Sequence, residues 1–411
     1  MSENDSADRL NLRRIAIPAF GPSLLFGLGE GAILPVIALS SRSLGTSVAA
    51  AALIVTLLGI GSLLSNIPAS LLTARYGERR AIIAAAALSM IAMVCCAKAP
   101  NIWVFSAGIL LIGAASAVFN LARQSYLTEA VPVQFRARAL STLGGVMRIG
   151  VFAGPFAGAL AIGVLGLPGA YWVGAVAVVA AGAVAWTLPD LVVHPEAESP
   201  GPVAARPAGV RSLLVSHRRI FLTVGLGVLL VSAVRASRQA VIPLWSENLG
   251  LDAATTSLIY GLSGAIDMLV FYPAGKVMDR KGRTWVAVPS MVLMGLALLL
   301  MPLTVGAGSL LLVSLLIGFG NGIGSGMIMT LGADYSPSPG RAQFLGIWRF
   351  LSDVGSSGGP ALLAGLTAIA TLAVGIAATG ILGMVAATAL WYWIPRNIPP
   401  GGSAMRRQIR S

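Results

Sequence analysis

Residues that punctuate the first half of this chain recur in the second at a constant offset of 205 positions. Arg75 and Gly77 return as Arg280 and Gly282, Glu129 as Asp334, Pro132 as Pro337 and Arg136 as Arg341. Gly150, Gly154 and Pro155 return as Gly355, Gly359 and Pro360. No insertion interrupts the register. A period this long means a duplicated domain and excludes a solenoid of short repeats.

Composition decides the solvent in which the two copies fold. With 56% apolar and 10% charged residues and a mean hydropathy of +0.84, a water-soluble domain would expose more apolar surface than solubility permits. A helix crossing a bilayer needs roughly 20 apolar residues, because lipid offers no partners for backbone N–H and C=O groups. Twelve stretches qualify, near 15–40, 48–73, 80–97, 101–124, 138–163, 169–188, 219–245, 254–278, 284–303, 307–331, 342–368 and 371–394. The sequence therefore predicts an all-α polytopic membrane protein with twelve transmembrane helices in two pseudo-symmetric six-helix bundles, residues 15–189 and 219–395. Like halves in one membrane are the architecture of secondary transporters. Pro195, Pro200, Pro202 and Pro207 with Glu196 and Glu198 break helix and hydropathy together, marking 190–218 as the linker. Residues 1–14 and 396–411 read as tails. The segment from Ile15 follows Arg13 and Arg14, but it is too long for a signal-peptide apolar region and is expected to remain as the first span.

Lys and Arg resist translocation and mark the cytoplasmic side. With both termini inside, the outer loops carry only Arg42 and Lys98, and five arginines lie within spans. Every other basic residue falls in a cytoplasmic segment, so the expected location is the cell (inner) membrane with cytoplasmic termini. The net charge of +13 then faces anionic headgroups, and nucleic acid is excluded as a partner. Cys95 and Cys96 are adjacent within the third span, too close for ordinary disulfide geometry, and read as small core residues. His194 and His217 both fall in the central cytoplasmic segment, and no nucleophile and base occur together, so no enzyme is expected. No cofactor or metal site is expected either.

Two motifs carry a family resemblance. Between spans 8 and 9 the chain reads Gly275, Lys276, Val277, Met278, Asp279, Arg280, Lys281, Gly282, Arg283, which resembles the loop signature GxxxDRxGR of the major facilitator superfamily. The first-half copy keeps Arg75, Gly77 and Arg79 but has Ser70, Ala74 and Glu78 at the other positions. A carboxylate beside arginine at a helix end can tie neighbouring helices together, and the glycine permits the turn. In span 5, Gly150, Gly154, Pro155 and Gly158 resemble the GxxxGPxxG motif of that superfamily's antiporters. Glycines four apart let another backbone approach, and the proline kinks the helix. The resemblance, which covers nearly the whole chain through the repeat, implies the major facilitator fold, cavity-lining spans 1, 4, 7 and 10, and kinship with twelve-helix drug:proton antiporters. It also implies that the Asp279 loop is a cytoplasmic latch that favours the outward-open state. The arginine the superfamily often places in span 4 is replaced by Ile109, four residues before Gly113, and Arg123 falls a turn or more later.

Charges within spans are costly and mark pathways. Glu30, Asp267 and Asp353 are the mid-membrane carboxylates, and Arg123, Arg148, Arg235, Arg238 and Arg349 are the buried cations. A desolvated carboxylate suits a proton carrier, and Glu30 is the first choice, Asp267 the second. The alternative is static pairing. Glu30 and Arg235 stand at the same depth by the 205 offset, with Arg238 a turn away, while Asp353 and Arg349 share one helix face. Five arginines against three acids also leave room for an anionic substrate. Candidate cavity residues are Phe20, Phe26, Phe119, Asn120, Gln239, Trp245, Asn321 and Met327, which suit an amphipathic organic molecule better than a sugar. Gly318, Gly320, Gly322, Gly324 and Gly326 make span 10 a closely packed helix or a flexible gate. The expected function is proton-coupled export of a small amphipathic compound by a monomer in contact with membrane lipids. Its rivals are export of an anionic metabolite or lysolipid, and a membrane sensor that no longer transports.

Overall fold

A computed structural model describes residues 20–131, 133–188, 210–337 and 341–396. The tails, most of the linker and the side chains of Arg136, Arg138 and Arg341 lie outside the described residues. Helices follow one another as α1 (Phe20–Ile33), α2 (Ile37–Ser43), α3 (Val48–Tyr76), α4 (Glu78–Ala97), α5 (Ile102–Ala130), α6 (Val133–Leu165) and α7 (Pro168–Trp186). Then come α8 (Val210–Ser216), α9 (Arg218–Ile220), a π-helical turn (Phe221–Gly225), α10 (Leu226–Asn248), α11 (Ala253–Lys281) and α12 (Thr284–Leu300). The last are α13 (Ala307–Ile323), α14 (Met327–Tyr335), α15 (Arg341–Ile369) and α16 (Leu372–Trp393). No strand occurs among the described residues.

Ten helices are long and apolar enough to cross a membrane, and α1 with α2, bent by 41°, make an eleventh span. Pro35 lies in the gap between them: it has no N–H to continue the ladder, and the chain turns over Leu34 to Val36 before Ser40 N resumes on Val36 O. The remaining predicted span, 342–368, is α15. At 29 residues it has the length, and it carries Arg349, Asp353 and a run of serines and glycines in its middle. The span predicted over 307–331 is two helices, because Gly324 to Gly326 form a turn and Gly326 adopts φ +81°, a conformation glycine alone takes without strain.

Several helices begin on a side-chain cap after a short loop. Ser47 accepts from Ala50 N, Asn101 Oδ1 from Trp103 N and Val104 N, and Thr371 from Val374 N. Asp252 starts α11 in the same way, accepting from Thr255 N at 2.9 Å and from Thr255 Oγ1 at 2.6 Å. The Thr255 hydroxyl is the largest influence holding this carboxyl below its ordinary value. A depressed carboxyl stabilises the fold above its unfolded pKa, and that contribution fades as pH falls through the lower folded value. Asp252→Ala is therefore expected to cost about 1 kcal/mol at neutral pH. The cost should shrink under strong acid, which thermal unfolding at the two pH values will read.

The repeat extends to packing. Gly150 of α6 lies against the Leu24 carbonyl of α1, and Gly355 of α15 against the Leu229 carbonyl of α10, 205 residues on. Gly113 of α5 meets Leu58 of α3, and Gly318 of α13 meets Ser263 of α11 at the same offset. In each case a Cβ would collide with backbone, which is why small residues recur there.

Contacts divide the chain into two compact units, Met1–Val193 with Ile242–Gly261, and His194–Val241 with Leu262–Ser411. This division differs from the repeat boundary, since segment 242–261 of the second repeat packs in the first unit. Arg42 and Glu247, themselves repeat equivalents, form an ion pair there (Nε–Oε1 3.0 Å, Nε–Oε2 3.2 Å), with Arg42 Nη1 also on the Thr46 carbonyl.

Candidate functional site

In the first unit the ionisable site lies where α1 meets α5. Ser116, Asn120 and Arg123 stand at i, i+4 and i+7, so they line one face of α5. Ser116 hydrogen-bonds the Glu30 carboxylate, Arg123 acts on it as the opposing charge, and Asn120 Nδ2 donates to Ser116 Oγ at 3.2 Å. Beneath them Phe26, one turn before Glu30, stacks on Phe119 with ring centroids 3.9 Å apart and an interplanar angle of 10°. Both rings are fully buried and so floor the cluster. Arg123 lies over the same ring at 5.9 Å, and among the described residues its Nε and Nη1 are buried with no hydrogen-bond partner. The sequence weighed Arg235 and Arg238 as Glu30's opposing charge. The structure brings Arg123 to Glu30, and the signal that marks it is the i, i+4, i+7 row of polar residues on α5.

The second unit holds a network across α10, α11 and α13. Arg235 Nε donates to Asn321 Oδ1 at 2.7 Å, and Asn321 Nδ2 donates to Asp267 Oδ2 at 2.6 Å. Arg238 Nη1 stands 3.7 Å from the same oxygen. Arg235 Nη1 also donates, at 3.1 Å, to the carbonyl of Gly324 in the turn between α13 and α14. Ser290 Oγ satisfies the Gly320 carbonyl at 2.6 Å. The glycines of span 10 divide by face: Gly318 and Gly322 pack on the α11 backbone at Ser263 and Asp267, while Gly320 and Gly324 pack on α12 at Met294 and Ser290.

Of the remaining predicted residues, Gln239 is half-buried on α10, Trp245 is buried in the first unit and Met327 is the fully buried first residue of α14. Arg148 on α6 is half-buried. Arg349 is exposed whereas Asp353, one turn later on α15, is half-buried, so the helix draws only the carboxylate inward. Along α6, Gly150, Gly154 and Gly158 lie against Leu24 to Ala32 of α1, and Pro155 and Phe156 face Gly261 of α11.

The loop motif differs between repeats. In the second, Arg283 is held by Asp334 (Nε–Oδ2 2.8 Å, Nη2–Oδ1 3.4 Å) and more loosely by Asp279 (Nη1–Oδ1 3.3 Å). The Asp334 hydrogen bond is the largest influence raising the Arg283 guanidinium above its ordinary value. Gly77 and Gly282 both take positive φ (81° and 97°), Arg75 lies over the Tyr76 ring, Arg280 is exposed, and Gly275 has open space around it. In the first repeat Glu78 occupies the position of Arg283 and accepts from Ser125 Oγ at 3.0 Å. The motif names Asp279, which is 76% exposed, but Asp334, at 28%, makes the stronger pair and lies outside the motif. Asp334→Asn should therefore cost about 1 kcal/mol, and Asp279→Asn only a few tenths. Thermal unfolding of both variants at low and high salt checks this ranking.

The sequence matches the Major Facilitator Superfamily over residues 20–360 and again over 224–408. The fold superposes on a bacterial homologue of the human lysosomal transporter Spinster, crystallised inward-facing and unoccupied, with a TM-score of 0.77 at 13% identity, covering 95% of this chain and 99% of that one. A POT family transporter in complex with a thioalcohol-conjugated peptide gives 0.73 at 12% identity (93% and 96% covered). A D-xylose–proton symporter gives 0.68 at 16% identity (94% and 97% covered). Identities this low speak for the fold alone. A Bacillus subtilis (strain 168) protein named for metabolite transport, YwtG, is 33% identical over 123 residues, which are 30% of this chain and only 27% of that relative's length. With duplicated helical halves, charged residues set into apolar spans and a family match over most of its length, this chain belongs to the Major Facilitator Superfamily of membrane transporters.

Proposed function

We propose that the protein is a proton-coupled secondary transporter that exports small amphipathic organic compounds in exchange for protons by alternating access, with Glu30 as the proton carrier. The observation that carries this reading is a carboxylate placed within an apolar span, bonded to the neutral Ser116 and opposed by Arg123. Such a group is costly in a membrane and marks a solute or proton pathway by default. A fold neighbour named as a proton symporter and the antiporter-like glycines of α6 are consistent with coupling. Asp267 is the second titrating candidate and Asp353 the third. The proposed setting is the cell (inner) membrane, with both termini cytoplasmic and the protein acting as a monomer among anionic lipids.

The test is transport by purified protein in proteoliposomes under an imposed pH gradient, across cationic, neutral and anionic amphiphiles. Accumulation that follows the gradient supports the proposal; accumulation indifferent to pH overturns the coupling. If no solute moves and none drives protons, a non-transporting sensor is the better reading. Export of an anionic metabolite or lysolipid is favoured by one specific feature, the two buried Arg123 nitrogens that make no hydrogen bond among the described residues. Preference for acids over cations in the same screen would select it.

A further inference from the structure

The network around Asp267 ends at a place where the backbone is broken. Asn321 sits on α13 three residues before the Gly324–Gly326 turn, it is 8% exposed, and both ends of its amide are engaged. Its orientation is forced. Arg235 Nε can only donate, so it needs the amide oxygen, and that leaves Nδ2 to donate to the Asp267 carboxylate. Turning the amide over would set donor against donor and oxygen against oxygen. The guanidinium so oriented reaches the Gly324 carbonyl with Nη1. One chain of hydrogen bonds thus runs from a carboxylate in α11, through an amide in α13 and an arginine in α10, to the Gly324 carbonyl in the turn, which also accepts from Met327 N at 3.2 Å.

We infer that Asn321 is a positioning residue through which the charge state of Asp267 is transmitted to the break in span 10, and not a group that binds solute. The inference rests on the proton-coupled transport reading and assigns Asp267 a definite part in it. Asp267 Oδ1 is buried and takes no hydrogen bond among the described residues, so it is the oxygen open to a proton. With that proton bound, Oδ2 loses most of its negative charge. It then holds both Asn321 Nδ2 and Arg238 more weakly. The amide is then held firmly from the Arg235 side alone, the guanidinium is free to shift with it, and its hold on the Gly324 carbonyl loosens. Gly326, already at φ +81°, lets the chain pivot there. Among the described residues the charged groups set against Asp267 within its unit are Arg238 of α10, directly, and Arg235 of α10, through Asn321. Neighbouring α12 and α13 carry no ionisable side chain, so no other group of those two helices competes for the role.

The test reads the break directly. Leu312 on α13 and Met329 on α14 are both exposed, and cysteines there, in a background without Cys95 and Cys96, take spin labels on either side of the turn. In full-length protein in lipid nanodiscs, the interspin distance is expected to shift between alkaline and acidic pH. Asp267→Asn should hold the acid distribution at every pH. Asn321→Leu should lose the pH response, and the double variant should behave as the single ones, since both cut the same chain. A pH response in Asn321→Leu equal to that of the parent overturns the inference, as does an alkaline distribution retained in Asp267→Asn. Should Asn321→Leu fail to fold, the near-isosteric Asp267→Asn still decides. The labels report without any solute, so proteoliposomes that show no pH-driven flux would defeat the transport reading while this measurement still decides on Asn321.

Discussion

Glu30→Gln is expected to abolish pH-driven accumulation of solute while leaving solute binding measurable. The amide keeps the size of the carboxyl and can still meet Ser116, but it carries no proton between the two sides. For an exchange of one proton per solute, a gradient of one pH unit sustains about a tenfold solute gradient, or ~1.4 kcal/mol. The variant should sustain none, and its solute should only equilibrate. Binding to detergent-purified protein, followed by tryptophan fluorescence, should survive within about a fewfold, because the stacked Phe26 and Phe119 beneath the site are untouched. Full accumulation by Glu30→Gln would remove Glu30 as the carrier and pass the role to Asp267 or Asp353.

The second large effect is structural. Gly154 lies against the backbone of Leu28 to Ala32 in α1, so any side chain there must push one helix off another. Replacing glycine by leucine inside a helix gains about 1 kcal/mol of helix propensity. Overpacking against backbone, which cannot rotate away as a side chain can, costs ~3 kcal/mol or more. The clash wins, and Gly154→Leu should unfold at markedly lower temperature or fail to accumulate. Gly163 on the same helix has open space around it and is exposed, so Gly163→Ala should be neutral or slightly stabilising. If both variants melt alike, close packing of α6 on α1 is not what these glycines provide.

Much of this architecture was legible before any coordinates. Twelve apolar stretches gave the helices, and the 205 offset gave two copies whose packing repeats at Gly150 with Leu24 and Gly355 with Leu229. Two of the predicted spans contain breaks that the sequence did not show, at Pro35 and at Gly324 to Gly326, since hydropathy does not register a turn between apolar residues. The site was legible in its membership and obscure in its wiring. Glu30, Asp267, Arg123 and Asn321 were all identifiable as polar groups at membrane depth. The Glu30–Arg123 opposition and the part of Asn321 as a connector were not. Asp334 was visible only as the echo of Glu129, and its grip on Arg283 required the coordinates.

The division has a physical origin. Length, hydropathy and charge are properties of position along the chain, and a bilayer converts position along a helix into depth, so the sequence by itself determined where the apolar segments run, how the halves correspond and which ionisable groups fall within those segments; that Arg349 of α15 is exposed, against the expectation of a buried cation, was decided by the rotation of its helix. Depth leaves open the rotation of each helix and the identity of its neighbour. A salt bridge or hydrogen bond demands both to within about an ångström. Those were settled only by tertiary packing, in which glycine faces bring α6 onto α1, α5 onto α3 and α13 onto α11, and in which α1 meets α5 at Glu30 and Arg123 while α10 meets α11 at Arg238 and Asp267.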